Sequence, residues 1–339
     1  MSVVAGDLVT YCAADMPEDD ASAVGGAVDL GRILVFVQMT VNGYLDVVSD
    51  DGDDTDQVYT VTGYDAGGSL VTEDFDINGL STVNGAQTFE RIVKIVKKSG
   101  SALAGTLTWT RHTGGSTVVT MESAADAAAG SEITSVRTIY YGLASDPLAT
   151  KTAYEKFFMR NNNGATTLTQ ALIRLMDAME DAATYSTTVN ATSTVGTKLL
   201  YVASTTGIVS GDAIVVNSGG ARTEVHEVDS VDAGVKLVLI DNLRYTHTLG
   251  QADTVKKGMV EFELEDTLDG TDTTADRLTI PTGYAGYSWS AREKYIRGAG
   301  GTYNHTAGAV QGVWLKTELA AANAAMKDQI EVMESGLTV

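Results

Sequence analysis

The chain has 339 residues, 44% of them hydrophobic, and carries 44 acidic against 23 basic side chains for a formal charge of −21. That charge argues against a face that neutralises nucleic-acid phosphates or docks on an anionic bilayer, while the apolar content is enough to build buried cores. Its one cysteine, Cys12, excludes an internal disulfide and a multi-thiolate zinc site, and reads as a small buried or semi-buried apolar residue. The length suits two or three domains. Glycine is frequent, at 35 residues, against 3 prolines, as expected for many short strands joined by tight turns. The first twenty residues lack the basic and apolar regions of a signal peptide, and no run approaches the ~20 apolar residues of a membrane span.

In chain order, residues 1–32 read as polar and loop-like, with Gly25-Gly26 and an acidic cluster at Glu18, Asp19 and Asp20. Ile33–Val37 reads as a buried strand, and Asp50–Asp56 as a charge-crowded turn. Strand signals follow. Tyr59 and Val61 alternate with Thr60 and Thr62; Val71, Phe75 and Ile77 share a face with Glu73; Leu107 and Trp109 alternate with Thr106, Thr108 and Thr110. Such period-2 alternation marks a sheet with one wet face, and Asp65–Gly68, Asn78-Gly79 and Thr113–Gly115 supply turns. An antiparallel β-domain is expected over 1–130, ending in a linker at 122–132.

A second β-region is expected from Ile133 over 131–339. Phe157-Phe158-Met159 is a short apolar run before a turn at Asn161–Gly164. The next stretch supports two readings. Leu172, Leu175, Met176 and Met179 fall on one helical face, whereas Thr166–Thr169 fit the start of a strand. Residues 196–255 form a compact module interrupting the second domain, with strands predicted at Leu199–Val202, Ala213–Val216, Thr223–Val228 and Val235–Ile240. Beyond it, Val260, Phe262 and Leu264 alternate with Glu261, Glu263 and Glu265; a turn follows at Asp269–Thr274, and Val310–Leu315 reads as a strand holding Trp314. The tail from Leu319 to Met333 has helical propensity, with strands as the alternative.

Little in the sequence points to chemistry. His112, His226, His247 and His305 form no i+2 to i+4 pair among themselves. His226 shares its strand face with Glu224, a metal pair only if further ligands join it; a solvated histidine is the expected outcome. No serine-hydrolase elbow, HExxH, Walker loop or dinucleotide fingerprint occurs, though two facing carboxylates for glycoside hydrolysis are beyond what a sequence can exclude. Asp50–Asp56 and Asp266–Asp276 have the composition of calcium loops without EF-hand spacing, and solvated turns are expected there. Tyr284, Tyr287, Trp289, Tyr295 and Tyr303 offer an aromatic surface for a neighbouring subunit or for sugar rings, or else ordinary core. No catalytic, cofactor-binding or metal residue is assigned, and no cofactor is expected.

Several short phrases resemble tailed-bacteriophage virion proteins. Met16–Asp29 resembles their polar, glycine-paired openings, and Val61–Gly68, with Glu73, Asn78-Gly79 and Thr88–Ile92, resembles the β-module that follows. Tyr154–Asn161 is similar to a Y-x-K-x-F-x-K-N strand of those proteins, and Leu268–Asp272 and Gly312–Lys316 to later segments. Residues 196–255, with Ala203–Gly207 and Ser210–Asp212, look like a module common in phage proteins. The resemblance implies an all-β protein: two antiparallel, immunoglobulin-like β-sandwich domains with a small inserted β-module and few short helices. It also implies that Leu168–Met176 and much of the tail are strands.

The expected role is therefore a non-enzymatic virion structural protein, assembled in the host cytoplasm. Capsid decoration (cement) or another accessory position comes first, and neck, tail-tube or baseplate second. Its partners would be the major capsid protein or tail and neck subunits, within a homo-oligomer, with no nucleic acid and no membrane. A host-glycan-binding module and a glycan depolymerase are the rivals from other classes.

Overall fold

The computed structural model describes residues 3, 7–15, 23–34, 42–67, 69–112, 115, 117–121, 132–134, 151–178, 180–217, 222–266, 268, 274–276, 280–281, 288–297, 302–319 and 331–338. Met16–Ser22 of the opening phrase, Val35–Val37, the 122–131 part of the linker, the turn residues Thr113, Gly114 and Ser218–Gly220, Asp269–Thr273, Tyr284, Tyr287 and Ala320–Ala325 lie outside them. The protein is all-β, with antiparallel, sandwich-like sheets. Leu249–Gln251 is a 3-10 turn.

The strands, in order, are β1 (Leu8–Asp15), β2 (Ala23–Leu34), β3 (Leu45–Ser49), β4 (Val58–Tyr64), β5 (Leu70–Asp76), β6 (Val83–Asn84), β7 (Arg91–Ser99), β8 (Leu107–Arg111), β9 (Thr117–Met121), β10 (Glu132–Thr134), β11 (Lys151–Asn161) and β12 (Leu168–Asp177). Then come β13 (Glu180–Thr188), β14 (Leu199–Tyr201), β15 (Ala213–Val216), β16 (Glu224–Asp232), β17 (Lys236–Leu239), β18 (Thr254–Gly258), β19 (Val260–Leu264), β20 (Thr274–Asp276), β21 (Lys294–Tyr295), β22 (Val310–Leu319) and β23 (Glu331–Thr338). Two compact units result. One holds residues 9–14 and 28–137, the other 1–8, 15–27 and 138–339.

Two strands replace the loop expected over 1–32. In β1, Tyr11, Cys12 and Ala13 are buried. In β2, Gly25 and Gly26 take φ of 95° and 83°, backbone that only glycine adopts freely, so a pair expected in a loop sits inside a strand.

The 9–14/28–137 unit follows its alternation. β5-β4-β7-β10 and the end of β2 form one sheet, with β10 parallel to Arg32–Leu34 and antiparallel to β7; β6-β3-β8-β9 form another. Tyr59, Val61 and Phe75 from the first sheet and Leu45, Val47, Leu107 and Trp109 from the second fill one core. The Trp109 ring meets Tyr59 and Phe75 edge-on, at centroid distances of 6.1 and 5.2 Å, so aromatic packing joins the layers. Thr60, Thr62, Thr108 and Thr110 take the wetter faces, as the spacing predicts.

In the second unit, β19-β22-β11 form a sheet in which β22 pairs along ten residues with β11 and five with β19. Ala153–Met159 are buried without a break, so this strand has no wet face. On β19 Glu263 is drawn in as well. Glu263 and the following Glu265 are each 2% exposed.

The ambiguous stretch is strand, not helix. From Ala171 to Asp177 every second residue is buried, but between Leu168 and Ala171 the step is three, because Gln170 takes φ 50° and the register against β23 shifts there. The residues that would share one helix face are split by the strand: Leu175 is buried, Leu172 and Met176 lie part-exposed on the other side, and Met179 is outside the described residues.

The module's predicted strands are found as β14, β15, β16 and β17. Its flanks β13 and β18 complete a sheet of order β13-β18-β15-β16-β17-β14. A bridge between Val189 and Val202, just past the two end strands, curls this sheet onto itself, which leaves little free edge. Leu200, Ile214, Val216, Val228, Leu237, Leu239 and Val255 form its own core.

Candidate functional site

Two arrangements stand out in the second unit, one on the surface and one buried. On the surface, β21-β12-β23 form a three-stranded sheet. Leu172 pairs with Tyr295 on one side and Ser335 on the other, and Thr169 pairs with Leu337, so these side chains share one face. Ala171, Ile173 and Leu175 point the other way and are buried. The backbone carbonyl of Tyr303 accepts the Ala171 N–H at 2.7 Å, which sets Tyr303 beside β12. Its ring stacks on Tyr295 at 4.4 Å with planes 29° apart. The tyrosines are 50% and 49% exposed and Leu337 is 57% exposed.

Beneath this face a buried pair anchors β23. His305 Nδ1 lies 2.6 Å from Glu334 Oε1, and Nε2 donates to the Ala309 carbonyl at 2.9 Å. Asn161 Nδ2 adds donors to Thr166 O and His305 O. The aromatic face therefore rests on a polar clamp rather than on a mobile loop.

Of the five aromatics singled out in the sequence, Tyr295 and Tyr303 are surface. Trp289 instead packs against the cluster of Val24, Tyr154 and Trp314, its ring 5.3 Å from that of Tyr154.

The buried arrangement is a chain of acids and histidines in the module. β16 places Glu224 and His226 on one face, as the two-residue spacing predicts, but His226 is fully buried rather than solvated. His226 Nε2 is 3.0 Å from Glu224 Oε2, and His247 Nε2 is 2.6 Å from Glu224 Oε1. His247 Nδ1 reaches Asp253 Oδ2 at 2.7 Å, and Asp253 Oδ1 takes Arg222 Nη2 at 2.8 Å. The Arg244 backbone N–H donates to Glu224 at 2.8 Å.

Both ring nitrogens of His247 face carboxylate oxygens, an arrangement that favours the doubly protonated ring. Burial alone would lower its pKa, but hydrogen bonds to Glu224 and Asp253 raise it above the ordinary histidine value. Burial likewise pushes Glu224 up, and hydrogen bonds from His226 and His247 overcome this and hold it far below the usual carboxylate range. The pairing of Glu224 with His247 and Asp253 is not visible as a motif. It needs the 3-10 turn capped by Thr248 and closed by left-handed Ala252 to bring Asp253 back to His247.

The remaining candidates have structural partners. His112 Nδ1 bonds Asp46 at 2.8 Å at the surface. In the loop Asp50–Asp56, carboxylates point at protein donors. Asp54 is buried and accepts from Ser49 Oγ, Ala104 N and Gly105 N; Asp50 accepts from Thr106 N; Asp56 accepts from Ser101. Burial works against the ionised Asp54, yet the Ser49 hydroxyl and the backbone donors lower its pKa. Of Asp266–Asp276, Asp266 bonds Arg297 Nη1 at 2.6 Å, and much of the rest lies outside the described residues. Among the described residues no three His, Cys, Asp or Glu side chains converge in a geometry that could hold a metal ion.

No protein-family model matches the chain, and no curated protein matches it.

Proposed function

We propose that this chain is a structural subunit of a tailed-bacteriophage particle that works by packing against neighbouring virion proteins. The first placement is capsid decoration (cement) or another accessory position on the head; neck, tail tube or baseplate is the second. The observation that carries the reading is the outward face of β21-β12-β23, where Tyr295, Tyr303 and Leu337 stand exposed on a regular, clamped sheet. Grouped aromatic and aliphatic side chains on a rigid surface are what protein interfaces use as their centre. The short phrases resembling virion proteins, among them Tyr154–Asn161 and Gly312–Lys316, support the same reading.

The charge of −21 sets a condition on such an assembly. Copies brought side by side repel through their acidic surfaces, so association strengthens as salt screens them, with a Debye length of about 8 Å at physiological ionic strength. Glycan binding is the reading from another class that the same tyrosines favour. Their mutual stacking argues for protein contact over sugar, because each ring spends one face on the other.

Cryo-electron microscopy of purified particles tests the proposal. The expected result is density for this chain at symmetry-related positions, with the Tyr295–Tyr303 face at a contact. Its copy number relative to the major capsid protein separates head from neck or tail. Absence from particles, or glycan affinity that Tyr295→Ala abolishes, rejects it.

A further inference from the structure

We propose that Lys156 and Glu265 are joined in the mature protein by an intramolecular isopeptide bond, an amide between Lys156 Nζ and Glu265 Cδ. The two side chains are in direct contact, at 0% and 2% exposure. They come from strands that are not neighbours. Lys156 is on β11, Glu265 directly follows β19, and β22 runs between them. The cross-strand register puts Lys156 opposite Trp314, and Phe158 opposite Gly312. The Lys156 nitrogen lies 4.6 Å from the Phe158 ring centre and 5.5 Å from that of Trp314.

Gly312 makes the contact possible. A Cβ there would collide with the Glu265 carboxylate, so any larger residue would push the carboxyl off the lysine. The Gly312–Trp314 pair in this strand thus provides an opening for the acid and an aromatic wall for the amine.

The chemistry needs no added reagent. In a site walled from water, two separated charges are costly. Passing the ammonium proton to the carboxylate leaves a neutral amine, the nucleophilic form, against a neutral acid. Contact within a folded core supplies the high effective concentration that a bimolecular condensation lacks. The nitrogen attacks Glu265 Cδ and the N–C bond forms. The C–OH bond breaks, and its hydroxyl leaves with one amine proton as water. The amide nitrogen keeps one hydrogen, and Lys156 Nζ already has one acceptor placed for it, the Gly26 carbonyl at 3.0 Å.

The bond would close a covalent loop around the whole inserted module and staple three strands. A chain with a single cysteine has no disulfide to do this. A staple of this kind suits a subunit that must bear load in any redox environment, although the bond itself is independent of the virion reading.

The test is the mass of the purified full chain under denaturing conditions. The expected mass is one water below that of the sequence. A tryptic digest then yields residues 152–160 and 258–277 as one branched species, uncleaved after Lys156. The double variant Lys156→Met, Glu265→Gln, which removes both charges together, returns to its full sequence mass. A wild-type chain at full mass overturns the proposal and leaves a permanent buried ion pair. So does a water lost elsewhere, for example as a cyclic imide at Asp51-Gly52, which the digest separates from the branched peptide whether or not the variant folds.

Discussion

The unit of residues 9–14 and 28–137 centres on Trp109, with Tyr59, Phe75, Leu107 and Val61 around it and its key carboxylate, Asp54, organising a loop. The module from Glu180 to Gly258 is built from the same short antiparallel strands, yet it encloses Glu224, His226, His247 and Asp253 beside its apolar core. Both are all-β and both are closed to water. In the first, burial of apolar surface does the holding, and the result depends weakly on proton concentration. In the second, part of the interior is a hydrogen-bonded chain of acids and histidines in which Glu224 is held below its ordinary pKa and His247 above its own. Similar folds therefore differ in what can unfold them.

The largest break in this comparison is expected from Trp109→Ala, which removes the ring joining the two sheets and leaves a cavity. A loss of about 3–5 kcal/mol is expected by chemical denaturation. Amide exchange in the module should stay unchanged, and equal loosening there would show that the two cores are not independent.

Glu224→Gln strikes the other side. It leaves two buried histidines without their shared carboxylate, at a cost of about 3 kcal/mol in the module, read by local hydrogen exchange. In the wild type the pH dependence carries the same signature. His247 has a raised pKa in the fold, so its contribution is complete below the ordinary value of 6.5 and is lost as pH rises through the raised one. Glu224 has a lowered pKa, so its contribution is complete above 4.5 and is lost as pH falls toward the depressed one. Module protection should therefore peak between these ordinary values and decline as pH rises above 6.5, while the Trp109 unit stays flat there. Protection in the module that is level from neutral to alkaline pH would sink the charge-chain account.

A smaller effect is expected from Asp54→Asn, about 2 kcal/mol, because the buried oxygens that accept from Ser49, Ala104 and Gly105 are only partly replaced. Its lowered pKa places the corresponding wild-type loss on the acid side, as pH falls below the ordinary 3.8. Smallest in stability, within about 1 kcal/mol, is Tyr295→Ala with Tyr303→Ala, since both rings are half exposed. Sedimentation or particle binding should nevertheless drop sharply. Unchanged assembly would remove this face from the proposed interface.

Only part of the candidate surface is legible in the sequence. Tyr295 and Tyr303 were among five aromatics of one glycine-rich stretch, but nothing local distinguishes them from Trp289, which packs half-buried against Tyr154. Glu224 and His226 share a face because side chains alternate along any strand. That the face is dry, and that His247 and Asp253 complete it, depends on a loop closing from more than twenty residues away.

What the sequence determined by itself was a mostly β character, the four module strands and the alternating faces around Tyr59, Phe75 and Trp109, since these rest on nearest-neighbour periodicity and turn chemistry. What only the tertiary structure decided was which alternations are buried on both sides, as at Glu263 and Glu265, and where the phase slips, as at Gln170. It also decided that Gly25-Gly26 lies within a strand rather than a loop. The reason is physical. A strand's period is set by its own backbone, but the wetness of each face, the bulge that resets it and the partner of each charge are set by whatever packs against it from elsewhere in the chain.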